Sequence, residues 1–320
     1  MARVVVAGSF NVDHVWTLDA LPAPGETRAG RYASGPGGKG FNQAVAAARA
    51  GASTTFLCAL GDDAGAHWAR ELAAADGIDL RAEPSDAPTG TAGICVDADG
   101  RNMIAIGAGA NAALSAGFLA RERDVFGDAR VVLAQLESPM DAIAEALRLA
   151  RAHGALALLN PAPANAATTK DLLAASTVLT PNESELSALL QRHLDRALTA
   201  DAVAASTDDA LHAACRALLP HGTVVVTLGA SGCFVSHPDD ARRGDDAVSY
   251  RVAAEPARVV DTTGAGDAFN GALAAALAMQ PQRAFAEHVR FAGRYAALST
   301  ERPGAALSMP ARAEVEARFG

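Results

Sequence analysis

The sequence predicts an α/β fold built around a doubly wound, mostly parallel sheet with helices on both faces. Short apolar runs that suit buried strands alternate along the chain with longer runs rich in Ala and Leu that suit helices. Two segments, 13–34 and 91–106, break this alternation, since they contain β-rich stretches and turn signals but no long helix. Half of the 320 residues are hydrophobic, which is enough to bury the core of one large domain or of two smaller ones.

Each predicted element rests on a run of apolar residues of suitable length. The predicted strands are residues 4–6, 54–58, 131–133, 156–159, 177–179 and 224–227. The predicted helices are residues 45–52, 66–75, 140–153, 184–191, 208–219, 268–279 and 284–299. Residues 256–260 have the composition of a short strand end. Because strands and helices alternate, ligands are expected at the carboxyl ends of the strands.

Residues 261–271, with the sequence DTTGAGDAFNG, place a glycine-rich turn before an aspartate and a predicted helix. The backbone amides of Gly264, Ala265 and Gly266 are predicted to be free at the helix N-terminus, where the helix dipole favours phosphate oxygens. The two glycines allow the backbone to approach a phosphate closely. Asp267 follows directly and can accept a proton. The alternative is an ordinary loop with Asp267 as an N-terminal helix residue.

The charge of the chain narrows the classes of function. Asp and Glu number 36 against 27 Lys and Arg, and the net charge is -9. The basic residues are dispersed, which argues against a nucleic-acid-binding stripe, and the acidity gives no attraction to anionic membranes. A negatively charged ligand would therefore have to be met locally, by amides, a metal ion and a few cations.

The start of the sequence and its cysteines indicate a cytoplasmic protein. The chain leads straight into a predicted strand without the pattern of a signal peptide, and no run approaches about 18 apolar residues. Four cysteines, Cys58, Cys95, Cys215 and Cys233, are spaced too widely for a zinc site. We expect free thiols in a reducing compartment rather than disulfides or catalytic cysteines.

One glycine pattern mimics a dinucleotide-binding fingerprint. Gly35, Gly37 and Gly40 have the spacing G-x-G-x-x-G, and Asp62 lies downstream. That fingerprint follows the first strand directly, whereas here a long segment separates the two. A dehydrogenase is therefore not expected. The phosphate loop G-x-x-x-x-G-K-S/T and the protein-kinase catalytic loop do not occur in the sequence.

The run 261–271 resembles the second signature of the ribokinase-like carbohydrate kinases, also called the PfkB family. Residues 35–44, GPGGKGFNQA, resemble the first signature, and the two occur in the family's order. The similarity covers essentially the whole chain. It continues through residues 8–13, 60–63, 135–137, 160–163 and 180–183. Two long signatures together are far more specific than either alone.

The resemblance implies a single kinase domain over residues 1–320, in which 13–34 and 91–106 pair into a small β-sheet lid over a sugar site. By the same analogy, the lid would form the interface of a homodimer. The implied reaction is transfer of the γ-phosphoryl group of ATP to a primary hydroxyl of a sugar. Asp267 would be the general base, and the amides of residues 264–266 would stabilise the transferring phosphoryl group.

Within the family, the details are most similar to members that phosphorylate the C5 hydroxyl of D-ribose. The resemblance assigns the sugar site to Asn11, Asp13, Gly38, Lys39, Asn42 and Glu137. Asp13 and Asn42 can accept from and donate to vicinal hydroxyls. Phe41 departs from the family, in which a small residue is common at this position. Its ring either packs beneath the loop or narrows the sugar pocket.

Two further motifs imply the ATP site. Asn182 and Glu185 resemble an Asn-Glu-x-Glu motif that organises the phosphates and their Mg²⁺ through water. They also suit a helix start with Asn182 as the cap, and the two roles are compatible. The other implied nucleotide-binding residues are Thr227, Gly229, Gly232 and Gly266. Gly293 stands where the family often has Asn or His near the adenine, which leaves that side of the base pocket open.

The resemblance also implies a potassium ion beside the anion-binding turn. The residues that match the family's potassium-binding segments are Asp261, Thr263, Ser299, Arg302, Gly304 and Ser308. An ion there would fix the turn that carries the amide donors. The alternative is that Asp261 only caps the loop.

Other functions stay open beside ribose phosphorylation. A kinase of the same family for another sugar, such as deoxyribose or a ketohexose, or for a nucleoside would use the same catalytic residues. A non-catalytic sugar-binding regulator is disfavoured because Asp267 and the two glycines before it are intact. Residues 195–208 and 238–246 are interpreted as surface insertions.

Overall fold

The structure, a computed structural model, describes residues 3–320. Its strands are β1 (Arg3–Ala7), β2 (Asn11–Thr17), β3 (Arg31–Gly37), β4 (Ser53–Leu60), β5 (Asp79–Pro84), β6 (Gly90–Val96), β7 (Asn102–Gly107), β8 (Ala129–Ala134), β9 (Leu156–Leu159), β10 (Val178–Leu179), β11 (Thr223–Thr227), β12 (Cys233–Ser236) and β13 (Ser249–Val252). Its α-helices are α1 (Lys39–Arg49), α2 (Ala64–Ala75), α3 (Ala116–Arg121), α4 (Asp124–Gly127), α5 (Met140–Ala152), α6 (Lys170–Ala175), α7 (Glu183–Leu194), α8 (Ala200–Ala204), α9 (Asp208–Leu218), α10 (Ala265–Met279), α11 (Phe285–Ser299) and α12 (Arg312–Phe319).

Nine strands form one large sheet in the order β13-β12-β11-β10-β9-β8-β1-β4-β5. Only the two pairs that join β13, β12 and β11 are antiparallel, and all other neighbours are parallel. Parallel neighbours need crossover connections, and the chain supplies helices for them. The predicted mostly parallel α/β sheet is confirmed.

Both faces of the large sheet are buried. In β1, Val4 and Val6 belong to one hydrophobic cluster, whereas Val5 and Ala7 belong to a second. Successive side chains of a strand point to opposite faces, so the two clusters lie on opposite sides of the sheet. This double burial explains why the central strands read as nearly continuous apolar runs.

The helices α1 and α10, which begin within the two glycine motifs, pack side by side. Gly271 permits this approach, because a Cβ atom there would lie 2.4 Å from the Gln43 carbonyl oxygen and 2.5 Å from the Ala46 Cβ. Asn42 and Gln43 in α1 reach Asp267 in the first turn of α10, and Gly40 in α1 packs on Gly8, directly after β1. This meeting point places the chemistry described below.

Four strands form a separate small sheet in the order β3-β2-β6-β7. The strand β2 pairs antiparallel with β3 and parallel with β6, and β6 pairs antiparallel with β7. Asp13 stands opposite Gly35 on β3 and Ala92 on β6, so these three residues share one face. A small sheet beside the large one, built from the two segments that lack a long helix, is thus present.

The sequence did not predict β5, β12 or β13, and one predicted strand end is wrong. The strand β12 is apolar and buried but only four residues long. The strands β5 and β13 are the two edges of the large sheet and carry charged residues, so no apolar run marks them. Residues 256–260 are irregular, and Val259 and Val260 are 61% and 58% exposed. The Val260 amide donates to the Thr300 carbonyl at 2.8 Å rather than to a strand, which explains the irregular backbone.

The cysteines and helices show two further properties of the chain. All four cysteines are free, as expected, and burial raises the pKa of Cys58, Cys215 and Cys233 to about 12, which leaves these thiols unreactive.

Between residues 3 and 320, no helix combines the length and the apolar character needed to cross a membrane.

Candidate active site

Asp267 is the third residue of α10, and its carboxylate is buried against α1. Its Oδ2 accepts a hydrogen bond from Asn42 Nδ2 at 2.9 Å, and its Oδ1 accepts one from Gln43 Nε2 at 2.8 Å. The N-cap of α10 is Gly264, so Asp267 does not cap the helix. A role as an ordinary helix-terminal residue does not account for two buried donors on one carboxylate.

The surroundings of Asp267 change its affinity for a proton. Burial raises the pKa of the Asp267 carboxyl above its usual value, because the charged form is removed from water. The Lys39 ammonium and the hydrogen bonds from Asn42 and Gln43 oppose this shift without cancelling it. A carboxylate with a raised pKa is a stronger acceptor for the proton of a hydroxyl.

The turn before Asp267 has the backbone of an anion-binding site. Gly264 has a left-handed φ of 75°, and a Cβ atom there would lie 3.0 Å from the Ala305 Cβ. The Ala265 amide donates to the Thr262 carbonyl at 3.1 Å, so it is engaged rather than free as expected. Within residues 3–320, no acceptor is bonded to the amides of Gly264 and Gly266. These two amides are available to an anion.

Asp13 approaches the site from the small sheet. A Cβ atom at Gly37 would lie 2.1 Å from Asp13 Oδ2, so the carboxylate packs directly on the glycine backbone of β3. Burial, together with the negative charges of Glu137 and Asp267, raises the pKa of Asp13 to about 7. No hydrogen-bond donor among residues 3–320 lowers it. The carboxylate is therefore a free acceptor in a partly desolvated position.

Glu137 follows β8 and binds the start of α1. Its Oε2 accepts from the Ser9 hydroxyl at 2.6 Å and from the Lys39 amide at 3.0 Å. Gly38 has a φ of 85°, and a Cβ atom there would lie 2.8 Å from the Asn11 nitrogen. Glycine is thus required where the first motif crosses the end of β1.

The Lys39 side chain is half-buried among carboxylates. Burial disfavours its charged form, but the charges of Asp267, Glu137 and Glu185 outweigh this effect and raise the pKa of Lys39. The ammonium is therefore charged at neutral pH. It is the cation shared by Asp267, Glu137 and Glu185, which are predicted to be the base, a sugar ligand and a nucleotide ligand.

The buried side chains of Asn11 and Asn42 each have one polar atom hydrogen-bonded to another side chain among residues 3–320. Asn111 donates to Asn11 Oδ1 at 2.8 Å and to the Phe10 carbonyl at 2.9 Å, and it accepts from the Phe10 amide at 3.0 Å. Asn42 Oδ1 is buried and has no partner within residues 3–320. A buried acceptor without a donor is costly, so this atom is suited to a donor from a ligand.

Phe41 packs beneath the loop that carries the predicted sugar-binding residues. Its ring is buried and meets the Phe10 ring edge-on at 5.1 Å between centroids and the Phe56 ring at 5.9 Å. Of the two alternatives for this residue, packing beneath the loop is the one observed. The aromatic side chain belongs to the core under the first motif.

Asn182 and Glu185 form a capping box at the start of α7. The Asn182 side chain accepts from the Glu185 amide at 2.8 Å, while Glu185 accepts from the Asn182 amide at 2.9 Å and from its Nδ2 at 3.1 Å. Burial raises the pKa of Glu185. The predicted helix cap is confirmed. The Thr227 amide donates to the Pro181 carbonyl at 2.9 Å, which joins the end of β11 to this helix start.

The other residues predicted to lie at the nucleotide site are glycines, and the backbone explains why. Gly229 and Gly232 have φ values of 51° and 84°, and a Cβ atom at Gly232 would lie 2.0 Å from the Val252 carbonyl oxygen. At Gly293 on α11, a Cβ atom would meet nothing within 4 Å, so the glycine leaves open space.

Asp261 joins the anion-binding turn to residues 299–308. Its Oδ1 accepts from the Thr263 amide at 2.9 Å and from the Thr263 hydroxyl at 2.7 Å, and its Oδ2 accepts from the Gly304 amide at 2.8 Å. Burial favours protonation, but these hydrogen bonds outweigh it and lower the pKa of Asp261. In the segment 299–308, the side chains of Ser299 and Ser308 are buried. The Arg302 side chain pairs with Glu314.

The described residues do not contain a preformed metal cluster. Between residues 3 and 320, no three or more His, Cys, Asp or Glu side chains converge on one point. Any cation at this site would therefore be held by backbone carbonyls, by hydroxyls, or through water and the nucleotide.

Sequence reasoning gave no role to several residues that the structure places in the site. These are Ser9, Gln43, Asn111, Gln135, Asn160 and Asn270. Gln43, Gln135 and Asn160 lie in segments that resemble the family, so a signal was present. Their partners, however, are far away in the sequence, and only the fold brings them together.

Comparisons with known proteins show the family of the chain. The sequence model described as "pfkB family carbohydrate kinase" matches residues 1–312. The chain is 37% identical to ribokinase of Mus musculus over 314 residues, which is 97% of this chain and 92% of that one. It is 36% identical to the bifunctional ribokinase/ribose-5-phosphate isomerase A of Fructilactobacillus sanfranciscensis over 318 residues, which is 98% of this chain but only 55% of that longer protein.

A solved structure extends the similarity to three dimensions. Arabidopsis thaliana ribokinase complexed with ribose and ATP aligns with a TM-score of 0.83 at 30% identity, over 98% of this chain and 97% of that one. The chain belongs to the pfkB family of carbohydrate kinases.

Proposed function

We propose that this protein transfers the γ-phosphoryl group of ATP to the C5 hydroxyl of D-ribose. The observation that carries the proposal is a set of acceptors without donors around a buried base: the Asp13 carboxylate and Asn42 Oδ1 lie close to Asp267. A polyhydroxylated ligand supplies the donors that these atoms lack. The ribose and ATP bound to the Arabidopsis relative support the same choice of ligands.

The proposed mechanism uses Asp267 as the general base. Its carboxylate takes the proton of the C5 hydroxyl as the oxygen attacks phosphorus, and its raised pKa favours that transfer. The amides of Gly264 and Gly266 stabilise the negative charge on the transferring phosphoryl group, and the Ala265 amide joins them once its turn hydrogen bond is released. Lys39 holds a positive charge beside the base and beside the sugar-binding carboxylate of Glu137.

The nucleotide side uses the other predicted residues. We assign the phosphates and adenine to the turn that contains Thr227, Gly229 and Gly232, next to Asn182. Mg²⁺ would accompany ATP and be held through water by Glu185, whose buried carboxylate is already oriented by Asn182. When bound, the ion would neutralise phosphate charge.

We propose that the small sheet is a lid over the sugar and that two copies associate through it in the cytoplasm. The sheet has large apolar side chains in contact with water, which an isolated sheet rarely exposes together. They are Trp16, Tyr32, Met103, Ile104 and Ile106. The mass of the protein in solution tests the association of two copies, and a monomer would contradict it.

The substrate assignment is tested by measuring ADP production with a panel of acceptors. The panel contains ribose, deoxyribose, fructose, tagatose and common nucleosides at equal concentration. We expect ribose to give the highest kcat/KM, because Asp13, Asn42 and Glu137 together offer acceptors for several hydroxyls. A larger value for a ketohexose or a nucleoside would reject ribose while leaving the kinase class intact.

Potassium is expected to raise activity above that in sodium at equal ionic strength. The ionised Asp261 is three residues from Gly264 and would repel phosphate unless a cation offsets it. Carbonyls around residues 299–304 and the Ser308 hydroxyl suit a large, weakly hydrated ion. Rates and melting temperatures in KCl and NaCl test the site, with Asp261→Ala as the variant. Equal values in both salts, with a fully active variant, would remove the potassium proposal.

The KM for ribose is expected to rise as the pH falls from 8 to 6. Asp13 has a pKa of about 7, so its carboxylate becomes protonated in this range and loses acceptor strength toward sugar hydroxyls. One pH unit below the pKa, roughly one-tenth of the carboxyl is ionised, which sets an increase of up to about tenfold at pH 6. The control is Asp13→Asn, whose KM should be high and independent of pH. A parental KM that is constant over this range would contradict the role of Asp13.

A further inference from the structure

A chain of buried polar side chains runs from the large sheet to Asp267. Its members are Gln135, Gln43, Asn160, Thr180, Asn270 and Asp267. Each is buried, and Gln43 and Gln135 have no exposed surface. Gln135, Asn160 and Thr180 directly follow β8, β9 and β10, so they stand at the carboxyl ends of three adjacent strands. The chain thus connects the sheet to the first turn of α10.

Backbone carbonyls fix the direction of every amide in this chain. The Thr180 carbonyl can only accept, so Asn160 Nδ2 must face it, at 3.0 Å. Asn160 Oδ1 then faces Gln43 and accepts from its Nε2 at 3.0 Å. The second hydrogen of Gln43 Nε2 is left for Asp267 Oδ1, at 2.8 Å. If the Gln43 amide were rotated, its oxygen would face two other acceptors, Asn160 Oδ1 and Asp267 Oδ1.

The remaining atom of the Gln43 amide is also held. Its Oε1 accepts from Gln135 Nε2 at 2.6 Å. At the far end, the Thr180 hydroxyl donates to Asn270 Oδ1 at 2.5 Å, and Asn270 Nδ2 donates to the Gly266 carbonyl at 2.8 Å. The same chain therefore reaches both the carboxylate of Asp267 and the turn that carries the anion-binding amides.

We propose that Gln43 is a positioning residue that holds the carboxylate of Asp267 in the plane needed to accept the proton of the sugar hydroxyl. The inference rests on the proposed role of Asp267 as the base. Asn42 holds the other oxygen, but its own Oδ1 is left for the sugar, so its amide serves two partners. Both polar atoms of the Gln43 side chain are engaged in hydrogen bonds to protein side chains, three bonds in all. It is the permanent anchor of the base.

The proposal is tested with Gln43→Met, which fills a similar volume and cannot donate a hydrogen bond. Loss of one hydrogen bond to a charged group is expected to lower kcat by about tenfold to 100-fold. The acid limb of the kcat–pH profile should move to higher pH, because a donor that favours the ionised carboxylate is gone. The KM for ribose should change little, since the Gln43 amide is fully bonded to protein side chains.

A matched control is available on the surface. Gln191 in α7 is exposed and donates from Nε2 to Asp195 Oδ1 at 3.1 Å, so Gln191→Met breaks the same kind of bond outside the site. This variant should keep the parental kcat and pH profile. A parental acid limb in Gln43→Met would overturn the proposal, whether kcat is unchanged or is lowered equally at every pH.

Two further variants complete the test. One keeps the proposal testable if Gln43→Met does not fold, and the other separates this inference from the proposed function. Gln43→Glu keeps the size of the side chain and places a second carboxyl group beside Asp267. Such a pair holds a proton more tightly than one carboxylate, so its acid limb should move further in the same direction, and a parental limb would equally overturn the proposal. Adding Gln43→Met to Asp267→Asn should not lower kcat any further. If Asp267→Asn alone is fully active, the assignment of the base fails. If it is inactive while Gln43→Met is parental, only the positioning role fails.

Discussion

Asp267→Asn is expected to lower turnover by roughly 100-fold to 10,000-fold, the usual contribution of a general base. Asparagine keeps the size of the side chain but cannot take the proton of the sugar hydroxyl. Both oxygens of Asp267 accept hydrogen bonds, so the amide nitrogen of the variant will oppose one donor, Asn42 or Gln43. A modest loss of thermal stability should therefore accompany the loss of turnover.

The measurement is kcat together with the KM values for ribose and ATP and the melting temperature. Retained KM values with a large fall in kcat would match a residue that acts in the chemical step. Because Gly264, not Asp267, is the N-cap of α10, loss of a cap cannot explain such a fall. A fully active variant would defeat the mechanism, whatever the acceptor sugar is.

Gly37→Ala is expected to raise the KM for ribose by about tenfold to 100-fold, the range for losing hydrogen bonds to a charged group. The new Cβ atom would lie 2.1 Å from Asp13 Oδ2 and 2.3 Å from its Cγ, so the carboxylate must leave its position. The base and the anion-binding turn are on other elements, so kcat at saturating ribose should fall less than kcat/KM.

Gly35→Ala is the matched control for this variant. Gly35 lies two residues earlier on β3, and a Cβ atom there would meet nothing within 4 Å. The two substitutions add the same methyl group to the same strand, but only one displaces Asp13. Equal KM values for both variants would show that Asp13 is not held where the sugar needs it.

Local patterns in the sequence were sufficient for much of the fold and for the position of Asp267 directly after a glycine turn. The glycine turn and Asp267 are contiguous, so their chemistry is visible in one short run, and the Asn182–Glu185 cap follows from residues three apart. The predicted strands of the large sheet are buried on both faces, so their apolar runs stand out in the sequence; they are β1, β4, β8, β9, β10 and β11.

The contacts that hold the site together could not be derived in this way. Gln43 and Asn160 are 117 positions apart, and Asn111 is 101 positions from Phe10. An isolated Gln or Asn gives no sign of which distant amide or carboxylate it will meet. The engagement of the Ala265 amide with Thr262 also depends on the conformation of the turn rather than on its composition.

The close approach of α1 and α10 at Gly271 has a consequence for protein engineering. Because any side chain there would collide with the Gln43 backbone, the first and second signatures are built as one interlocking unit. We expect chimeras that take residues 35–49 from one relative and 261–279 from another to shift residues 35–44 relative to Asp267. Acceptor preference should therefore be transferred by exchanging both segments together.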